Sequence, residues 1–410
     1  MKLVRIDEFT SEGLYRQEAV YCSKKRGRKY TVFFEVPETC AKPATYDHFA
    51  LYGIAAAFVL DEDYEHLGAV DQRLLEQVED VIDIWHDWYP YRHRTQIVAD
   101  VRTVTDSDGT APDAGQTGCL FTAGVDSLYS LLKCRGEIDA LISVIHRNSI
   151  HLPFRSETDG LDEIDQFAQR MNVSHLTIST NMMTAIPEYQ DAWAHLSHGA
   201  AYAAATHFLS GEISHAIISS SLNWDQLMPW GSHPDTDWRF GSSTLSLDHF
   251  GTSTSRIDKT AAVARNPEFL RVLNVCSRGR QSSEHLNCSK CQKCLRTMLA
   301  IDLAGIDRDQ ATSFDWTHYT PANAEKIYLR TENEYLLFEE ILARAVELDR
   351  QDVVEPIERL IQRSRKFVWL TTMEMEIRKR LPRVARMKST AMKTRNVVYN
   401  VFGLSTRLKD

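Results

Sequence analysis

Between Thr117 and about Gly305 the chain alternates short apolar runs with amphipathic ones, and this alternation restricts its possible folds more than any other feature. Cys119-Leu-Phe121, Ala140 to Ile145, Leu176-Thr-Ile178 and Ala216-Ile-Ile218 read as strands. Asp126 to Lys133, Leu161 to Met171 and Trp193 to Leu209 read as the helices between them. Parallel strands need crossovers long enough to return to the same edge, and helices of this length supply them. The expected class is α/β, a doubly wound parallel sheet covered by helices on both faces. Ligands then bind at the carboxyl ends of the strands.

The flanks read differently. Residues 1–113 suggest an N-terminal α+β domain, with strand-like Tyr30 to Val36 and Thr95 to Val101 and a helical stretch from Asp71 to Trp88. The turn-rich segment Asp106 to Gln116 marks a boundary, placing the α/β domain at 114–306. Residues 307–410 form a helical C-terminal region, patterned from Glu334 to Leu348 and again from Pro356.

Charge is unevenly spread. Residues 361–410 hold 13 Lys and Arg against three acids, a net +10, leaving −19 on the rest of a chain whose total is −9. Leu370, Met373, Ile377, Leu381 and Val384 recur there at helical spacing among basic residues, with Pro382 as a kink. A docked terminal helix with a solvated basic face is one reading. Binding of nucleic acid, anionic lipid or an acidic partner is the other. The charged start Met1-Lys-Leu-Val-Arg does not resemble a signal peptide, and His48 to Leu60 and His195 to Gly211 are too short or too polar to span a bilayer. A cytoplasmic protein with no transmembrane segment is expected, and a homo-oligomer.

The first candidate strand runs into Phe121-Thr122-Ala123-Gly124-Val125-Asp126-Ser127. Small residues let an anion approach the backbone, free N–H groups and the helix dipole attract it, and hydroxyls add donors. Phosphate binding is the functional reading; a turn with N-capping Asp or Ser is the structural one.

Four of the eight cysteines crowd into one run: Cys276, Cys288, Cys291 and Cys294. A C-x2-C-x2-C turn and one upstream thiolate can close a tetrahedral Zn²⁺ shell. An iron–sulfur cluster, disulfides and buried apolar thiols are the rivals. Cys22, Cys40, Cys119 and Cys134 are scattered. His195, His198 and His285 read as satisfied polar residues.

At Thr122 to Ser127 the chain resembles the PP-loop, or N-type ATP pyrophosphatase, superfamily, a HUP-like fold whose signature is Ser-Gly-Gly-x-Asp-Ser. Thr122 stands for the Ser, Ala123 and Gly124 for the glycines, and Asp126 and Ser127 match. With the cysteine run before Leu295-Arg296 it is similar to the 7-cyano-7-deazaguanine synthase branch. His233-Pro234-Asp235 echoes that branch's Tyr-Pro-Asp, and Asp258-Lys259 its Thr-Lys segment. His233 replaces the tyrosine, and the Cys-Arg expected after Asp235 is missing.

The resemblance implies that Thr122, Gly124 and Ser127 hold the pyrophosphate portion of ATP, that Asp126 orients Mg²⁺ or water, and that Lys259 neutralises charge on the phosphates. A small-molecule carboxylate, deazapurine-like or other, would attack the α-phosphorus, and the acyl adenylate would pass to an amine nitrogen. Ser220, His233, Asp235 and Arg239 are candidate substrate contacts, with Trp224, Trp230 and Trp238 as a stacking wall or as core caps. The metal would be structural. The flanks favour a specialised modification or defence role, with a protein substrate or partner. A tRNA-modifying sulfurtransferase and a catalytically silent nucleotide-binding module are the alternatives.

Overall fold

The computed structural model describes residues 1–104, 115–147, 160–276 and 285–366. They fall into two compact units. The first comprises Met1–Thr122, Lys133–Ser220 and Leu227–Thr252; the second comprises Ala123–Leu132, Ser221–Gln226 and the described residues from Ser253 onward.

The first unit is built on one sheet of ten strands: β1 (Lys2–Ser11), β2 (Leu14–Ser23), β3 (Arg28–Pro37), β4 (Tyr64–Asp71), β5 (Ile97–Arg102), β6 (Gln116–Leu120), β7 (Ala140–His146), β8 (Ser174–Thr180), β9 (Ile213–Ser219) and β10 (Ser246–Phe250). Their spatial order is β10-β9-β6-β7-β8-β3-β2-β1-β4-β5. Six neighbouring pairs are parallel and the three around β3, β2, β1 are antiparallel, so the sheet is mostly parallel. From β6 the chain winds outward through β7 and β8, then crosses to the other side for β9 and β10. That pattern is compatible with a doubly wound fold and puts its switch point between β6 and β9.

The N-terminal strands extend the same sheet. The β1–β2 hairpin turns at Glu12-Gly13, both at positive φ (54° and 77°), the backbone twist a two-residue hairpin loop favours. β3 then pairs with β8 through Phe34 opposite Thr180.

All seven residues of β7 are buried, so the sheet is covered on both faces there. On one face Ala140, Ile142 and Val144 join a core centred on α1 (Asp47–Leu60) and α6 (His198–Phe208). All fourteen residues of α1 are buried, because it is apolar nearly all round. Ala200, Ala201, Ala203, Ala204 and Ala205 on α6 are small enough to let α1 approach. On the other face α4 (Leu161–Met171) places Phe167 in a stack with Phe121, ring centroids 5.9 Å apart. The helix expected from Asp71 is α2 (Gln72–Trp88), with Asp71 as its cap accepting from the Leu74 N–H and Leu74, Val78, Val81, Ile82 and Trp85 on its buried face.

The single helix expected from Trp193 to Leu209 is interrupted. Trp193–Ser197 is a π-helical turn, and α6 proper starts at His198. Gly199 donates its N–H to Gly231 O outside the helix at 2.6 Å, which offsets the ladder. A Cβ at Gly199 would lie 2.3 Å from that oxygen, so glycine is required.

The second unit is helical: α3 (Val125–Lys133, through Leu132), α7 (Arg256–Ala264), α8 (Pro267–Val272), α9 (Gln292–Leu303), α10 (Glu332–Glu347) and α11 (Gln351–Arg365), with α5 (Pro187–Asp191) belonging to the first unit. A capping box between Thr331 and Glu334 starts α10. The following helix starts at Gln351, five residues before the expected Pro356, which lies inside it. Asp349, at φ 52°, makes the sharp turn after α10, and the buried stripe of Val353, Val354, Ile357, Leu360 and Ile361 begins ahead of the proline. Among the described residues no helix is long and apolar enough to cross a membrane. The expected basic tail helix lies outside the described residues, as does most of the Asp106 to Gln116 segment.

Candidate active site and metal centre

The loop after β6 is anchored by its backbone. Phe121 donates its N–H to Ile142 O at 2.7 Å and accepts from Ser143 Oγ at 3.0 Å, extending the β6–β7 pairing. Ala123 follows at φ 54°, a left-handed conformation that costs an L-residue about 1 kcal/mol. Its carbonyl accepts from the Asn274 N–H at 2.8 Å. Helix α3 then opens at Val125, with the Leu128 N–H and the Ser127 hydroxyl both reaching Gly124 O, at 3.0 and 3.2 Å. Val125 and Ser127 are buried.

In the second unit the carboxylate of Asp126 meets α7. Its Oδ2 is ion-paired with Arg256 and accepts from Ser221 Oγ at 3.3 Å. Lys259 Nζ stands 3.9 Å from Oδ1, which is buried and has no hydrogen-bond partner. Ser255 caps α7 by accepting from the Asp258 N–H. The Arg256 and Lys259 positions are i and i+3, so both cations face the same acid. Burial lowers the Lys259 pKa, and Asp126 opposes that shift. Arg256 escaped the sequence reading, although its spacing from Lys259 was a usable signal.

Behind Arg256 lies Glu340 on α10, a half-buried carboxylate held by neutral donors: Gln226 Nε2 at 2.7 Å, the Ile257 N–H at 3.0 Å and Asn223 Nδ2 at 3.3 Å. Burial raises its pKa. Arg296 of α9 lines one pocket together with Arg256 and Glu340. Burial, aided by the Arg256 charge, lowers its pKa to about 10, so it stays a cation at neutral pH.

The remaining candidates lie in the first unit. Ser220 is buried at the end of β9, its N–H donating to Phe250 O at 2.8 Å. His233 accepts from the Asp235 N–H at 3.1 Å and sets its ring edge against Trp88; burial lowers its pKa. Asp235 is exposed. Arg239 donates to Asp235 O and lies over Trp238, 4.2 Å from the ring centroid. Trp238 is exposed, as is Trp224 of the second unit. The sequence reading missed Asp237, fully buried, which binds His249 Nδ1 at 2.8 Å and the His233 N–H at 3.1 Å.

The metal centre is compact. The sulfurs of Cys276, Cys288, Cys291 and Cys294 all lie within 4.8 Å of one another, with neighbours 3.4 to 3.8 Å apart. Four thiolates at about 2.3 Å from one tetrahedral ion would sit roughly 3.8 Å apart. The group could therefore hold a single metal ion such as zinc. A four-iron cluster assigns each thiolate a different iron and spreads the sulfurs wider.

Local structure explains the convergence. Ser289 at φ 56° bends the chain after Cys288, and Cys291 caps α9 so that Cys294 falls in its first turn. Asn287 ties the two arms together, accepting from the Val275 N–H at 2.8 Å and donating to Leu273 O and Ser313 O at 2.7 and 3.1 Å. Sulfur hydrogen bonds led by Cys276 pull the Cys288 thiol far down, while burial pushes Cys294 up. Among the described residues no other group of three or more His, Cys, Asp or Glu is placed to hold a metal. His285 bonds Thr312 O instead.

The chain matches no protein-family model, no curated protein and no solved structure.

Proposed function

We propose that this chain is an ATP-dependent ligase that adenylates a carboxylate, releases pyrophosphate and joins the acyl group to an amine nitrogen, in a specialised modification or defence pathway. The observation that carries the reading is the acid–cation cluster in which Arg256 and Lys259 of α7 meet Asp126, in the first turn of the helix that follows the Ala123-Gly124 turn. Phosphate oxygens entering such a turn would compete with Asp126 for the two cations. Asp126 would then be released to hold Mg²⁺ or its water, a task its unpartnered Oδ1 suits.

The two cations would stabilise charge building on the departing pyrophosphate, where fixed donors are most effective. Zinc on the four cysteines would brace α9 and take no part in the chemistry, since four thiolates leave no coordination position open.

A tRNA sulfurtransferase would need a reactive thiolate outside the metal group. Burial raises Cys119 to about 12 and raises Cys40 and Cys134 as well, which disfavours that role for these three thiols. The Asp126–Arg256 pair favours a second reading, a nucleotide-binding module without turnover. Incubation of the pure protein with Mg-ATP and candidate carboxylates, ammonia, tRNA or partner proteins decides the matter. Release of AMP and pyrophosphate with one carboxylate supports the ligase. Tight ATP binding with no pyrophosphate from any candidate leaves the silent module.

A further inference from the structure

Arg296 is 8% exposed, yet its guanidinium makes no hydrogen bond or ion pair with any described residue. It lines a pocket walled by α7, α9 and α10, together with Arg256, Thr260, Thr297, Leu337 and Glu340. The nearest acids are already engaged. Glu340 is held by three neutral donors, Asp126 by Arg256 and Ser221, and Glu334, the third acid acting on Arg296, by the Arg330 and Thr331 N–H groups. Arg256 and Lys259 both face Asp126, whereas Arg296 is left without a direct ion pair. A buried cation without a partner is costly to maintain, and a chain keeps one where an anion will meet it.

We infer that Arg296 and Arg256 form an oxyanion subsite in the second unit that takes a phosphoryl group. Two guanidiniums from different helices converge on it, and Arg256 spends only one Nη on Asp126. One guanidinium fork fills both oxygens of a carboxylate, whereas a phosphoryl group has three oxygens to offer two forks. The closed part of the pocket has room for about one water molecule, so the group enters by its tip. The hydroxyls of Thr260 and Thr297 are turned to backbone carbonyls at 2.8 and 2.9 Å, leaving the arginines as the donors. The subsite goes beyond the adenylation reading and stands without it.

The test uses the full chain with its metal content verified, titrated with orthophosphate, pyrophosphate, ATP and, as control, acetate, by calorimetry and thermal shift. Wild type should bind phosphates in preference to acetate, and Arg296→Met should weaken that binding at least tenfold while Arg296→Lys retains part of it. Without phosphate, Arg296→Met should melt at the wild-type temperature or higher, because an uncompensated charge has been removed. Pyrophosphate and ATP favoured over orthophosphate would identify a nucleotide's phosphate chain as the ligand. Equal binding of all three would identify free phosphate.

Unchanged phosphate binding in Arg296→Met, acetate binding as well as phosphate, or a lower phosphate-free melting temperature in both variants would overturn the inference. A protein that never releases pyrophosphate from ATP, yet loses phosphate binding with Arg296→Met, would refute adenylation and keep the subsite.

Discussion

Arg256 is ion-paired with Asp126 across 130 positions of sequence, and Lys259 one turn further along the same helix approaches the other oxygen of that carboxylate at 3.9 Å. Both partners of the pair are largely buried, with side chains 20% and 15% exposed. A pair so placed is coupled in stability as well as in chemistry.

Asp126→Asn and Arg256→Met should each destabilise the fold, and together by less than the sum. A coupling energy of about 1–3 kcal/mol is expected from a double-mutant cycle in denaturant. Additive effects would show that the pair contributes nothing. In the adenylation assay Asp126→Ala and Ser127→Ala should abolish pyrophosphate release while circular dichroism stays native, and full activity in both would remove the loop from the mechanism.

At Ala123 the left-handed backbone sets opposite expectations for two substitutions. Ala123→Gly relieves strain but gains chain entropy when unfolded, so its stability should stay within about 1 kcal/mol of wild type. Ala123→Val adds a β-branched side chain at positive φ and should lose roughly 2 kcal/mol or more, read from unfolding midpoints.

Metal analysis should find one zinc per chain and no acid-labile sulfide. Cys276→Ser or Cys294→Ser should lose the metal, and a strong chelator should lower the melting temperature of wild type but not of either variant. Stoichiometric iron would overturn the zinc assignment.

His146 is buried against Trp193 and Tyr202, and burial lowers its pKa to about 3. The unfolded chain takes up that proton near pH 6.5 and the folded chain does not. Stability should therefore fall as pH drops from about 6.5 toward 3. His146→Phe should flatten the slope by up to about 1.4 kcal/mol per pH unit, measured by urea unfolding at several pH values. His48, fully buried and also lowered by burial, should leave a residual slope.

Much of the sheet's second half was legible because its apolar runs are continuous and its helices strongly periodic. The expected Leu161 to Met171 matches α4 residue for residue, and Ala140 to Ile145 falls one short of β7. Strands β1, β2, β4 and β10 were not anticipated. β1 has one apolar residue among its fully buried positions, Leu3, and carries charges along its open face, so its pattern resembles a loop until β2 and β4 pair with it. The π turn before α6 was invisible for a related reason: its cause, Gly231 O, lies 32 residues from Gly199.

By itself the sequence determined the elements whose signals are local: the amphipathic helices, the apolar strands, the small-residue turn at Ala123-Gly124 and the close C-x2-C-x2-C spacing. Only the tertiary structure decided which distant groups meet. It brought Cys276 to the other three sulfurs, set Arg256 on Asp126, left Arg296 without a direct ion pair and joined the N-terminal strands to β8. Periodicity and turn chemistry act over a few residues, whereas ion pairs and strand register depend on loop closures that no local pattern encodes.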